Sequence, residues 1–387
     1  MFAIQQVVRL TITIIFFQLV LPSLATTCTT NLDCSLNGLC QPHTGSCLCD
    51  KPWHGSRCGV LKYQSNQPMS SANLYPHNDT GAPKTGPCVT ASGSCTALNT
   101  WNGPIVKVGT QYHMFNPLYK RGNLFETQDM MHGIATNITG PYSWRSQGQG
   151  DLGSNPAFVT FQDPDTNATT FSLWSGQASG LQIYVSDDIN GIFVPVNGSM
   201  GGFSNVAPLY YNGKWYATDQ GTRKIRTTPK LGDPWTLYSE IHATFKGAYQ
   251  EDPFMWVDKR NNWHIINHAY NTTEIENCGQ STLSAHLFSL DGKAWHILTE
   301  PQVEPYSHTV SYEDGTTHTY TTLERPNCQF NEKGEMTSIN LAADLMTQDA
   351  GCKDYSVCPA KTKAGNCACT NCKYADHAGS IIIALDV

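Results

Sequence analysis

The chain has 387 residues, of which 14% are charged and 10% aromatic, with 32 glycines, 21 prolines and a formal charge of −7. That balance argues against a disordered chain, and a mild negative charge without a basic run argues against a nucleic-acid partner. The length accommodates more than one domain, and the aromatics and turn formers predict a β-rich, packed, extracellular type of protein.

The N-terminus carries Arg9, an apolar run from Leu10 to Leu21, then Pro22-Ser23-Leu24-Ala25. A basic start, a short apolar stretch and small residues at a cleavage point read as a signal peptide over 1–25. The run falls short of the ~20 apolar residues that a membrane span needs, so a secreted product without a membrane span is expected. Two features agree with an oxidising, extracellular compartment: 15 cysteines, and Asn-x-Ser/Thr sequons at Asn78, Asn137, Asn167, Asn197 and Asn271. Each sequon predicts a surface position.

Residues 26–58 hold Cys28, Cys34, Cys40, Cys47, Cys49 and Cys58. A segment this short cannot bury a core and needs covalent staples. Asn37-Gly38-Leu39-Cys40, then Cys47-Leu48-Cys49 followed by Gly55 and Cys58, resembles the EGF-like module. Spacing alone leaves fifteen connectivities open. The resemblance implies Cys28 with Cys40, Cys34 with Cys47, and Cys49 with Cys58. Zinc is a poor competing reading, since this segment has no Cys-x-x-Cys pair. The acidic lead-in of calcium-binding modules is missing, so no calcium is expected in this one. The module serves either contact with an extracellular protein or a spacer role. Residues 59–98, rich in Ser, Pro, Asn and Gly, read as a linker with one small loop closed by Cys88 and Cys95.

From residue 99 one unit recurs: a polar stretch, a proline, an apolar strand, a polar turn and an aromatic strand. The five starts are Asn102-Gly103-Pro104, Ser154-Asn155-Pro156, Val206-Ala207-Pro208, Glu251-Asp252-Pro253 and Glu324-Arg325-Pro326, with prolines 52, 52, 45 and 73 residues apart. Proline suits the first residue of a strand, where its missing N–H costs nothing. A second motif alternates with the first: HGIATNITGPYSW, IYVSDDINGIF, IRTTPKLGDPW and HLFSLDGKAW. Four strands per ~50 residues, repeated, is the signature of a propeller. The competing fold is a β-sandwich with chance prolines. The all-β, five-bladed β-propeller spans 99–387, with a Cys-rich insert at 352–372 before a closing strand from Ser380 to Leu385. Cys278 and Cys328 are expected to tie blade four to blade five, and five tail cysteines stay unassigned.

The phrases Gly140-Pro141-Tyr142-Ser143-Trp144, Trp174-Ser175-Gly176, Glu251-Asp252-Pro253 and the run from Phe288 to Trp295 complete the pattern. It resembles the five-bladed propellers of glycoside hydrolase family 43 and the related arabinanase, levansucrase and invertase clan. The resemblance implies acids just before the first- and second-blade prolines and two residues before the third. Those places hold Gly103, Asn155 and Val206 here, and none is acidic. The acids stand instead in blades four and five. Glu251, Asp252 and Glu324 are the candidate catalytic residues: Glu324 as acid, Asp252 or Glu251 as base. Alternatively, Arg325 and backbone amides simply satisfy them. Trp101, Asn102, Asn155, Asn205 and Arg325 are candidate ligands for a carbohydrate. The clan also implies an ion, calcium or another, on the propeller axis, with His268 as its candidate ligand. A satisfied buried histidine is the competing reading. Motifs for zinc proteases, nucleotide loops and serine hydrolases are absent. The resulting choice is a secreted glycosidase-like hydrolase, or a propeller that recognises glycans or proteins without turnover.

Overall fold

The computed structural model describes residues 27–67, 99–119, 127–146, 152–177, 180–197, 205–218, 220, 223–243, 249–270, 283–298, 304–320, 323–344 and 378–387. The signal-peptide reading, Asn78, Asn271, Cys88, Cys95, Cys278 and the Cys-rich insert lie outside them. Among the described residues no helix is long and apolar enough to cross a membrane.

The N-terminal segment folds around two small sheets, β1 (Gly38–Gln41) with β2 (Ser46–Cys49), and β3 (Trp53–His54) with β4 (Val60–Leu61). Disulfides join Cys28–Cys40, Cys34–Cys47 and Cys49–Cys58, the same three pairs that the module resemblance implies. Staples of this kind replace the apolar core that so few residues cannot supply.

Five antiparallel sheets follow. Blade one comprises β5 (Asn99–Thr100), β6 (Ile105–Val108), β7 (Gln111–Tyr119), β8 (Thr127–Ala135) and β9 (Ser143–Ser146), with β5 and β6 both laid along β7. Blade two is β10 (Ser154–Gln162), β11 (Thr169–Gln177), β12 (Gly180–Ser186) and β13 (Val194–Pro195). Blade three is β14 (Ala207–Tyr211), β15 (Lys214–Thr218), β16 (Lys224–Thr228) and β17 (Thr236–Glu240). Blade four is β18 (Tyr249–Val257), β19 (Trp263–Tyr270), β20 (Leu283–Ser289) and β21 (His296–Ile297). A hairpin of β22 (Thr309–Ser311) and β23 (Thr317–Thr319) precedes blade five, and it accounts for the longer proline spacing there. Blade five is β24 (Leu323–Phe330), β25 (Met336–Asp344) and β26 (Ala378–Ala384). The first strands of the blades touch in the ring order β6, β10, β14, β18, β24 and back to β6.

The sequence dictates these hairpins locally. Asn212 and Gly213, at φ 50° and 72°, form the two-residue turn of β14–β15, where both central residues must be left-handed. Between blades the strands' aromatic faces meet. Trp174 and Trp215 are 5.5 Å apart and fully buried, and Phe161 meets Trp215 edge-on at 4.7 Å. Each such ring removes on the order of 150–250 Å² from water, which makes these layers the main stabilising contact between blades.

One expectation needs correction. The described part of the linker, residues 59–67, is not loose chain. Its backbone runs along the outer edge of blade five, with Gln64 N donating to Ala384 O at 3.0 Å and Asp386 N to Lys62 O at 3.0 Å. Gln67 adds side-chain bonds to both the carbonyl and the amide of Ala384. The edge of β26 had unpaired backbone groups, and this segment occupies them. Ile382 of β26 meanwhile packs with Ile105 and Met114 of blade one, which closes the ring between blades five and one. The expected partner of Cys328, Cys278, lies outside the described residues. Cys328 is a free thiol buried among Ile266, Ile339 and Leu341, because β24 turns that side chain into the apolar layer. Burial pushes its pKa well up.

Candidate functional site at the propeller axis

Pro104, Pro156, Pro208, Pro253 and Pro326 all line one axial cavity of about 60 Å³. That is room for a few waters. Each blade's first strand enters it through a backbone kink. Asn102, Asn155, Asn205, Asp252 and Arg325 have φ of 46°, 53°, 46°, 51° and 53°. In blades two, four and five the ladder register slips at this point, between Ser154 and Ala157, Glu251 and Phe254, and Glu324 and Asn327. The kink turns one side chain per blade toward the axis. Asn and Asp tolerate the left-handed region because their short polar side chains bond locally; Arg325 does so at a cost of ~1–2 kcal/mol.

The kink, and not the proline, marks the residue that each blade turns to the axis. The ring residue of blade one is Asn102, two before its proline, and that of blade three is Asn205, three before. Gly103 cannot be acidic at all: a Cβ there would sit 1.8 Å from Phe115 O and 2.4 Å from Asn116 Oδ1. Val206 is buried in the apolar layer of blades two and three with Trp174 and Trp215. Trp101 is also corrected. It is 7% exposed and does not line the cavity, so it offers no flat face to a sugar.

The five ring side chains do different work. Asn102 Nδ2 donates to Arg325 O at 2.8 Å and Asn340 O at 3.2 Å, while Asn340 Nδ2 donates to Asn102 Oδ1 at 3.0 Å and Gly103 O at 2.8 Å. This amide clasp joins blade one to blade five. On the far side, Asn155 Nδ2 donates to Asn205 Oδ1, and Asn205 Nδ2 donates to Gln220 and, at 3.1 Å, to Glu251 Oε1. The chain of amides therefore ends on a carboxylate of blade four. Asn340 was not singled out from the sequence; its signal was an Asn in the apolar strand SINLA.

Asp252, His268 and Glu324 form a tight group whose ligand atoms all lie within 4.8 Å of one another. His268 Nδ1 faces Asp252 Oδ2 at 3.9 Å, its Nε2 faces Glu324 Oε1 at 3.8 Å, and Arg325 Nε stands 3.9 Å from Asp252 Oδ2. Burial lowers the His268 pKa to about 4, against the opposing pull of Asp252. The imidazole is therefore neutral at pH 7, and its contacts to the acids are not ion pairs. Asp252 is 5% exposed and neither oxygen accepts a hydrogen bond. A buried carboxylate in that state costs free energy unless a cation compensates it. Two carboxylates and one imidazole are a hard, oxygen-rich donor set suited to a divalent ion, so the residues fit the axial ion that the clan implies. Two of the acids expected to act together, Asp252 and Glu324, are thus brought to one imidazole, but unequally: Glu324 keeps 22% of its side-chain surface exposed and Asp252 keeps 3%.

No family model and no curated protein matches the chain by sequence. Solved structures do match in shape. An α-L-arabinofuranosidase from Podospora anserina, in complex with cellotriose, aligns with a TM-score of 0.53 at 10% identity, over 85% of this chain and 98% of that one. An exo-β-1,3-galactanase from Phanerochaete chrysosporium aligns at 0.44 and 8% identity, over 83% and 65%. A thermostable family-43 glycoside hydrolase aligns at 0.43 and 8% identity, over 64% and 84%. What the chain has in common with them is the fold: the five-bladed β-propeller on which these glycoside hydrolases are built.

Proposed function

We propose that this is a secreted, glycan-directed hydrolase that works at the axial opening of the propeller. One observation carries the reading: Asp252 and Arg325 line the axial cavity beside Asn102, Asn155 and Asn205, with Glu324 clustered on Asp252 and Glu251 bonded to Asn205. Amides and carboxylates around a concave opening suit a polyhydroxyl ligand. Glu324, the more exposed acid, is assigned to protonate the leaving oxygen. Glu251, oriented by Asn205, is assigned to the opposing carboxylate role. Asp252 is too buried, and too near Glu324, to activate a water across a scissile bond, and it acts instead as a fixed charge beneath them. Secretion is supported by the leader-like N-terminus and by sequons Asn137, Asn167 and Asn197, all on exposed residues.

A specific observation favours a second reading, glycan recognition without turnover. Gly103, the blade-one place where the resemblance implies an acid, has no room for a side chain, and its neighbour Asn102 spends its amide closing the ring. In this reading Asp252, His268 and Glu324 hold a divalent cation. When bound, that ion would neutralise the two acids and polarise a coordinated hydroxyl. Glu324 would then be a ligand and unavailable as an acid.

The test is a panel of arabino-, xylo-, fructo- and galacto-configured aryl glycosides together with glycan-array binding, run on the unmutated chain and on Glu324→Gln. Turnover that falls at least a hundredfold in Glu324→Gln, with binding retained, supports the hydrolase. Binding with no turnover by either protein replaces it with recognition alone.

A further inference from the structure

Away from the axis, the stapled N-terminal module meets blade four through a line of four polar side chains in an apolar wall. Asn37 Nδ2 donates to Cys58 O at 3.1 Å and stands 3.4 Å from His286 Nδ1. His286 Nε2 is 3.1 Å from His264 Nδ1, and His264 Nε2 is 3.5 Å from Asp258 Oδ2. Trp53 of the module stacks on His286 at 5.0 Å, and Trp256 of blade four stacks on His264 at 4.9 Å. Asn37, His264 and His286 are 4%, 1% and 5% exposed.

The order of protons along this line follows from its ends. The amide nitrogen of Asn37 must face Cys58 O, since an amide oxygen there would oppose a carbonyl. That nitrogen has only protons to offer, so His286 Nδ1 is an acceptor. His286 Nε2 then carries the proton and donates to His264, and His264 Nε2 donates to Asp258. Every ring nitrogen is satisfied only if both histidines are neutral. A proton on His286 Nδ1 would set two donors against each other at the seam between module and blade.

We propose that Asn37, His286, His264 and Asp258 form an acid-released latch that fastens the N-terminal module to blade four. The surrounding charges do not offset a proton on His286. From the blade-four turn, Asp258 is already engaged by His264, Asn262 and Arg260; from the module, Asp50 pairs with Arg260, which also donates to Leu36 O. From the blade edge, among the described residues, the exposed His296 approaches across Phe288. Burial lowers the pKa of both histidines, His286 well below its ordinary 6.5, with each further lowered or opposed by its charged neighbours. The docked state therefore takes up fewer protons than the released one below pH 6.5. Docking weakens as pH falls from there, by about tenfold per pH unit for the one histidine that release uncovers.

The chain supplies its own reference. Residues 61–67 are held by backbone bonds to Pro305, Ser311 and Ala384, which do not titrate. Hydrogen exchange on the full chain at pH 7.5, 6.0 and 5.0, corrected for intrinsic rates, reads both. Amides of residues 28–58 are expected to lose about tenfold protection per unit below pH 6.5, while those of 61–67 and of β10–β12 hold. His286→Gln is expected to flatten that dependence. His286→Phe, which keeps a ring against Trp53 and has no nitrogen to protonate, is expected to keep the module docked at pH 5.0 and serves where the first variant folds poorly. Equal protection of 28–58 at all three pH values overturns the latch. So does loss of 28–58 together with β10–β12, or a His286→Phe chain that opens like the parent.

Discussion

Asn102→Asp tests whether the ring amide of blade one is structural. The side chain is 3% exposed and donates to two backbone carbonyls, Arg325 O and Asn340 O. A carboxylate keeps the bond from Asn340 Nδ2 but offers those carbonyls no proton. Two buried acceptors left without donors cost ~1–3 kcal/mol each, so about 4 kcal/mol at neutral pH. The new acid can recover one bond by protonating, and its surroundings raise its folded pKa above the ordinary ~3.9. A raised folded pKa gives stability that is present below the unfolded value and lost as pH rises. The deficit is therefore small near pH 4 and grows by ~1.4 kcal/mol per unit until the folded pKa is passed. Unfolding entropy near 2 cal/mol/K per residue over the propeller gives roughly 0.6 kcal/mol/K, hence a Tm about 7 °C below the parent at pH 8. Calorimetry at pH 4 and pH 8 measures it. Asn102→Gly, which keeps the kink but loses every side-chain bond, should show a deficit independent of pH. An Asn102→Asp chain with the parent's Tm at pH 8, or the same deficit at both pH values, refutes the reasoning.

Two further predictions concern buried groups. Calcium at 100 times its Kd should stabilise the parent by about 2.7 kcal/mol, raising Tm by roughly 4 °C in a manner reversed by EDTA, and Asp252→Asn should abolish the response; identical melting with and without the ion would empty the trio of that role. Cys328 should resist thiol reagents in the folded chain, with modification mapped by mass spectrometry appearing only on unfolding, and Cys328→Ser should cost ~1–3 kcal/mol by placing a hydroxyl in the apolar layer. Labelling of Cys328 in the native state would contradict its burial.

The blade count was legible because each repeat spends residues on a physical need that leaves a mark in the sequence. A strand that begins at the axis tolerates proline, and a two-residue turn demands Asn-Gly. The ring residues were less legible. The kink sits one, two or three residues before the proline, so a proline register points to Gly103 and Val206 where the axis-facing residues are Asn102 and Asn205. Trp101 looked like a platform because a tryptophan beside a polar kink reads the same whether it faces in or out. The role of residues 59–67 was hidden for another reason. Edge pairing uses backbone groups, which every residue carries, so composition could mark the segment only as a linker.

The ring also separates what folding requires from what chemistry could use. In blades one to three the left-handed residue is Asn, and its amide is consumed in holding neighbouring blades: Asn102 to blade five, Asn155 to Asn205, Asn205 to Glu251. In blades four and five the same backbone position carries Asp252 and Arg325, whose charged groups stand 3.9 Å apart. Asn would satisfy the kink at both places, and at 325 it would avoid the strain of a long side chain in the left-handed region. Conformational need alone therefore does not explain a charge pair there. Strain kept at an opening, next to a buried carboxylate with no hydrogen-bond donor, is the mark of a site that binds something. Blades one to three spend their kink residues on holding neighbouring blades, while blades four and five place Asp252 and Arg325 at the same backbone position.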